Sequence, residues 1–188
     1  MIRLKHFIPD SYVDSINDID FDELHKAGKR LILCDLDNTL ISYMQKEPTK
    51  DIFLFKEKII KKGFEFVIVS NSRKDRVEHF ANLLDVPFIK FAKKPLSGGL
   101  KRGIALAKKK YNPGQIVEIG DQLMTDVAGS KSLGIYTVLV KAIDRKTEVL
   151  PTRINRFFER RLIHFLKRKH KEDFNRILKK YEEDNYGR

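Results

Sequence analysis

The chain has 188 residues, 41% of them hydrophobic and 34% charged, with a formal net charge of +12. Such a length and balance fit one globular domain with a real core and exclude a disordered chain. The one cysteine, Cys34, excludes an internal disulfide, and no run approaches the ~20 apolar residues of a membrane span.

The N-terminal stretch MIRLKHFIPDSYVDSI also lacks the apolar segment of a secretory signal. The expected location is the cytoplasm, with peripheral contact at the inner face of a membrane left open.

In chain order, branched and aromatic runs predict strands at 30–34, 65–70, 88–90, 115–119 and 136–140. Helical patterns fall between them, at 49–62, 74–84, 99–111 and 122–132. Within the first of these, Ile52, Phe55, Ile59 and Ile60 are spaced for one helical face. Strands alternating with helices predict an α/β fold: a doubly wound, mostly parallel five-stranded Rossmann-like sheet. The first strand carries Leu31, Ile32 and Leu33 in succession, as expected of a central strand covered on both faces.

Residues 1–150 are expected to form the core and 151–188 a basic amphipathic helical extension of the same domain. In that extension a helix is predicted over 153–168 and another over 172–183. Ile154, Phe157, Phe158, Leu162, Phe165 and Leu166 fall at helical spacing on one side. Only one acid, Glu159, interrupts the lysines and arginines of 153–171.

Four segments at or just after strand ends carry the candidate chemistry, because ligands of open parallel sheets bind at that edge. After the first strand comes Asp35-Leu36-Asp37-Asn38-Thr39. Two carboxylates so close together are costly to bury unless a cation neutralises them, and oxygen-only ligands favour Mg²⁺. One acid could attack phosphorus while the other moves the proton; a solvated loop or a helix cap fits the same dipeptide pattern.

Ser70-Asn71-Ser72 follows the second strand, where a hydroxyl and free N–H groups can hold phosphoryl oxygens or simply cap a helix. Beyond the third, Lys93-Lys94-Pro95 supplies a lysine able to neutralise a phosphoryl group in flight. After the fourth, Gly120-Asp121-Gln122-Leu123-Met124-Thr125-Asp126 offers Asp121 to complete a metal site. Asp126 there could orient the lysine or a metal's waters, and Gly120 permits close backbone approach.

In order and spacing these segments resemble the haloacid dehalogenase superfamily. DLDNTL at 35–40, IVSN at 68–71, KKP at 93–95, GDQLMTDV at 120–127, TVLV at 137–140 and TRINRFFERR at 152–161 are similar to one branch, the YqeG-like phosphatases, over about residues 4–168. Two places depart from it: Ser72 stands where a second Asn is usual, and Gly129-Ser130-Lys131 replaces Gly-Gly-Asn.

The resemblance implies a capless, Mg²⁺-dependent phosphomonoester hydrolase working through an aspartyl-phosphate. Asp35 would be its nucleophile and Asp37 its general acid/base, with Lys94 the third catalytic group. Asp35, Asp37 (through its carbonyl) and Asp121 would hold the metal. Ser70, Asn71 and Lys94 would bind the phosphoryl group, and Thr39 and Asp126 would support the site. This branch is similar to mitochondrial phosphatidylglycerophosphate phosphatases, which implies an acidic phospholipid substrate.

The charge admits other partners. A basic amphipathic helix over 153–171 could lie on an anionic membrane, or its Phe157 and Leu162 could cover an edge of the core. An RNA- or ribosome-associated binding protein with a secondary phosphatase activity is the alternative, although no RNA-binding motif is legible. A receiver domain is disfavoured, since its acidic pair and its phospho-acceptor sit on different strands. Cys34 lacks the Cys-x5-Arg loop of thiol phosphatases and reads as a buried strand residue. The histidines show no metal-ligand spacing, and Gly98-Gly99 is too short for a Walker-type phosphate loop.

Overall fold

A computed structural model describes residues 3–73 and 75–187. The sheet has six strands, all parallel, in the spatial order β1-β6-β5-β2-β3-β4. They are β1 (Ser11–Val13), β2 (Leu31–Cys34), β3 (Glu65–Val69), β4 (Phe88–Ile89), β5 (Ile116–Gly120) and β6 (Tyr136–Val140). The chain runs outward from β2 through β3 to β4, then crosses to β5 on the other side of β2. That reversal opens a crevice at the C-terminal end of β2.

Strands β2 to β6 match the five expected to within a residue or two, whereas β1 was not foreseen. It is only three half-buried residues pairing with β6, Ser11 to Val138 and Val13 to Val140, so it carries no alternation to read.

Helices cover both faces. Alternate residues of β2 point to opposite layers: Ile32 and Cys34 pack with α1 (Phe21–Lys26), α2 (Lys50–Lys61) and α3 (Arg76–Leu84), while Leu31 and Leu33 meet α4 (Ser97–Ala105). All four β2 side chains are fully buried. Helix α2 buries Ile52, Phe55 and Ile59 but leaves Ile60 exposed, because a residue adjacent to Ile59 points about 100° away from it. The expected start of α3 at Lys74 lies outside the described residues.

Between β5 and β6 the expected helix begins as one π turn, Leu123–Val127, and continues as α5 (Ala128–Ser132). After β6 come α6 (Leu150–Lys169), the short α7 (Lys171–Asp173), a π turn and α8 (Lys179–Tyr186). These pack on the α5 face of the sheet: Ile163, Leu166, Phe174 and Tyr181 form one cluster with Leu123, Val127 and Leu139. No helix among the described residues is long and apolar enough to cross a membrane.

The inward side of α6 corrects the sequence reading. Its buried residues are Thr152, Arg156, Glu159, Ile163 and Leu166, whereas Ile154, Phe157, Phe158 and Phe165 point outward. Of the apolar stripe only Leu166 is buried and Leu162 partly so, while two inward positions are instead charges satisfied by the core. Leu162 does pack on the edge of the core, as expected, but Phe157 does not.

Packing of α4 is tight at Gly99, where a Cβ would stand 2.1 Å from the Ala92 carbonyl oxygen; at exposed Gly98 the nearest atom would be 3.9 Å away. We expect Gly99→Ala to destabilise the protein by about 1–3 kcal/mol or more. Gly98→Ala should be neutral or stabilising by up to about 1 kcal/mol. Urea unfolding of the two variants side by side checks this.

Candidate active site

The parallel register brings the candidate acids to one edge. Cys34 pairs with Ile119, and the Asp35 amide donates to the Ile119 carbonyl at 2.9 Å, so Asp35 and Asp121 leave adjacent strands at the same end. The Asp35–Leu40 segment turns sharply there. Asn38 takes a left-handed conformation (φ 61°) that Asn tolerates better than most residues. It also ties this turn to the loop after β6: its carbonyl accepts from the Ile143 amide at 3.1 Å, its Oδ1 from the Asp144 amide at 3.2 Å, and its Nδ2 donates to Glu148 at 3.3 Å.

Lys94 is the centre of the arrangement. Its buried ammonium lies 2.9 Å from Asp35 Oδ1, 2.7 Å from Asp126 Oδ1 and 3.4 Å from Glu118 Oε1. Burial alone would lower its pKa, but the charges of Asp126, Asp35 and Glu118 hold it well above the ordinary value, so Lys94 is an ammonium. Burial pushes the Asp35 carboxyl up to about 6, against the opposing pull of Lys94. Burial likewise raises Glu118 well above a normal carboxylate.

The lysine is held from behind. Asn71 clamps its main chain, with the Lys94 amide donating to Asn71 Oδ1 at 2.7 Å and Asn71 Nδ2 donating to the Lys94 carbonyl at 3.0 Å. The Asn71 amide expected on phosphate is thus engaged with protein. Ser70 is buried beside it, its Oγ accepting from the Ser72 amide at 3.1 Å, and its carbonyl accepts from the Ala92 amide. Gly120 admits Asp126: a Cβ there would lie 2.4 Å from Asp126 Cγ. Asp126 Oδ2 accepts from the Gln122 amide at 3.1 Å, which fixes the face it turns to Lys94.

The other two acids carry guanidinium partners to which the sequence reading gave no role. Asp37 pairs with Arg76 at the start of α3, and Arg76 also donates to the Gln45 carbonyl at 2.6 Å. Asp121 Oδ2 pairs with Arg156 of α6, which also donates to the Asp121 carbonyl at 2.9 Å. Arg156 meets Glu148 at 3.0 Å, Glu159 at 3.1 Å and the Tyr181 hydroxyl at 3.0 Å. Glu159 accepts in turn from the Leu123 amide at 2.7 Å and from the Tyr186 hydroxyl at 2.6 Å. Of these residues Glu118 had a legible signal, a charge inside the apolar run IVEIG, and Arg156 and Glu159 lay within the TRINRFFERR motif without a role being assigned to them.

The donors fit a hard divalent cation. They are oxygens only, and Asp121 Oδ1 is buried without a hydrogen-bond partner among the described residues. Burial raises the Asp121 carboxyl despite the opposing charge of Arg156, so further positive charge there would be stabilising. No three Asp, Glu, His or Cys side chains among the described residues stand together as a ready ligand set. The ligand set that the family resemblance implies, the carboxylates of Asp35 and Asp121 with the Asp37 carbonyl, includes only two carboxylate side chains and does not require a third. Thr39, two residues after Asp37, is buried, its Oγ1 without a partner among the described residues.

Cys34 is fully buried, and burial pushes its thiol well up, which makes it a packing residue. A groove of about 460 Å³ lined by Lys56, Phe64, Phe66, Ala81, Val86 and Leu106 opens at the opposite edge of the sheet, away from the acids.

Residues 1–143 match the model of a family described as mitochondrial PGP phosphatase. A Bacillus subtilis (strain 168) protein named "Probable phosphatase YqeG" is 36% identical over 165 residues, which span 88% of this chain and 94% of that protein. Among solved structures, an uncharacterized protein from Listeria monocytogenes serotype 4b aligns with a TM-score of 0.45 at 14% identity, over 65% of this chain and 88% of its own. A hypothetical protein from Xanthomonas campestris aligns with a TM-score of 0.46 at 17% identity, over 67% of this chain and 72% of its own.

Removing Arg156 strands Asp121, Glu148 and Glu159 without their shared cation. We expect Arg156→Met to cost about 3–5 kcal/mol in urea unfolding, the usual penalty for breaking a buried ion pair. Arg153→Met, one turn earlier and exposed, should change stability by no more than about 0.5 kcal/mol.

Proposed function

The chain belongs to the family described as mitochondrial PGP phosphatase, within the YqeG-like branch of the haloacid dehalogenase superfamily, and from that premise we propose that it hydrolyses a phosphate monoester through phosphoryl transfer to Asp35. What carries this reading is the contact of the Lys94 ammonium with Asp35 at 2.9 Å and Asp126 at 2.7 Å, at the edge where Asp121 also emerges.

In the first step an Asp35 carboxylate oxygen attacks phosphorus and the ester P–O bond breaks. The departing oxygen takes a proton from Asp37. In the second, water attacks the phosphorus of the aspartyl-phosphate and gives its proton to Asp37, releasing inorganic phosphate and restoring Asp35.

Lys94 neutralises the equatorial oxygens as charge spreads over them, and the Ser70 hydroxyl donates to them. Asn71 holds the lysine main chain, and Asp126 aims its ammonium. Arg76 pairs with Asp37 and places its guanidinium beside the carboxyl that moves the proton. Asp35, Asp121 and the Asp37 carbonyl would hold Mg²⁺, which supplies positive charge against the phosphoryl oxygens.

A phosphatidylglycerophosphate headgroup is the substrate this reading favours. Family membership supports it, as do the short connections from β2 to α2 and from β3 to α3, which among the described residues carry no inserted domain over the edge.

The test is a hydrolysis screen with Mg²⁺ over phosphatidylglycerophosphate, nucleotides, sugar phosphates and p-nitrophenyl phosphate. Phosphatidylglycerophosphate should be turned over best, and chelation should abolish release. Asp35→Asn should lose about three orders of magnitude or more in kcat. Retained turnover in that variant, or an acid-quenched wild type that never carries labelled phosphate, would refute the nucleophile.

A further inference from the structure

Helix α6 has two sides that interact with very different surroundings. Its inward side delivers Arg156 to Asp121. On its outward side Leu150, Ile154, Phe157, Phe158 and Phe165 are all about half exposed or more, from 48% at Ile154 to 69% at Leu150. Apart from the adjacent Phe157 and Phe158, successive members are three, four or seven residues apart, and at about 100° per residue all five fall within roughly 100° of one side. The Phe157 and Phe158 rings meet edge-on at 5.5 Å, and the Arg161 guanidinium lies 4.6 Å over Phe157. Scattered exposed apolar residues need no explanation, but five on one side of a single helix, three of them phenylalanines, do.

The stripe is framed by positive charge. Arg153, Arg160, Arg161 and Arg168 are exposed, and none pairs with a carboxylate of the described residues. The one acid among them in sequence, Glu159, is buried beneath the helix. At the start of α6 a groove of about 560 Å³ is lined by Arg145, Lys146, Arg153 and Arg156, with Glu148 and Asn185.

This surface adjoins the active-site edge. The Tyr43 hydroxyl meets Thr152 Oγ1 at 2.8 Å, which joins the start of α6 to the loop that follows Asp37. Exposed Met44, Leu96 and Ile143 lie on the loops that follow Asp37, Lys94 and β6.

We propose that the outward face of α6 is a docking surface for an anionic lipid bilayer, with Phe157, Phe158 and Phe165 entering the boundary between headgroups and acyl chains. Arg153, Arg160, Arg161 and Arg168 meet lipid phosphates, and the groove at Arg145 and Lys146 takes a neighbouring headgroup phosphate. The helix thus holds the Asp35 edge against the surface from which a lipid-borne phosphate monoester projects.

A second copy fits less well, because a two-fold pairing of this stripe sets the same arginines face to face. RNA fits less well too, since Leu150 and Ile154 offer a base no stacking partner. The proposal deepens the phosphatase reading and rests on it for what reaches the site, but docking is measured without turnover.

The full chain is sedimented with vesicles of phosphatidylglycerol in phosphatidylcholine, and with phosphatidylcholine alone. It should bind the first and not the second, more weakly as salt rises. The triple variant Phe157→Ser, Phe158→Ser, Phe165→Ser should bind at least about tenfold more weakly. Arg160→Gln, Arg161→Gln, Arg168→Gln should lose the preference for anionic vesicles.

Both variants should keep p-nitrophenyl phosphate turnover, which also shows that they fold, while hydrolysis of phosphatidylglycerophosphate in vesicles drops. Equal binding to both vesicle types, or unchanged binding by the phenylalanine variant, overturns the proposal. So does loss of a dimer in light scattering, or of RNA binding, with vesicle binding intact. Vesicle binding by a chain that hydrolyses no phosphate monoester leaves the docking surface standing and removes the phosphatase reading instead.

Discussion

A lysine ammonium buried among three carboxylates is the interaction on which the rest of this structure depends. Lys94 can stay charged away from water only because Asp35, Asp126 and Glu118 surround it, and they can stay close together only because it is there. Burial opposes the charges of Lys94, Asp35 and Glu118, so the surrounding chain must fix the cluster in place. Gly120 clears the space for Asp126, Asn71 ties down the lysine main chain, and Gly99 lets α4 close on Ala92 just upstream of it.

One cation does not balance this edge. Asp37 and Asp121 add two further carboxylates, each met by a guanidinium from a different helix, Arg76 from α3 and Arg156 from α6. Even so, Asp121 keeps one oxygen without a partner among the described residues, and burial holds its carboxyl well up. Excess negative potential converging on one crevice is what a divalent cation and the cationic side of phosphoryl chemistry both use.

Helix α6 connects that chemistry to the surface. The turn of helix that buries Arg156 and Glu159 also carries Phe157 and Phe158 outward, so one element both completes the charge network and presents an apolar stripe. The C-terminal helices lock it there: Tyr181 is fully buried and contacts Arg156, and Tyr186 reaches Glu159.

The alternation of strand and helix, the central place of β2, and the convergence of Asp35, Asp37, Lys94, Asp121 and Asp126 on one edge were all legible in the sequence. Each follows from local pattern together with the rule that parallel strands point the same way. Strand β1 was hidden because three half-buried residues show no period, and the π turn after Gln122 because its pattern is that of an ordinary helix.

Tertiary structure alone decided which way α6 faces and which cations meet Asp37 and Asp121. Periodicity assigns the apolar side of a helix inward, and that inference fails when a charge finds its partner far along the chain. Arg156 faces inward because Asp121 and Glu148 await it there, and no local window of sequence contains that fact.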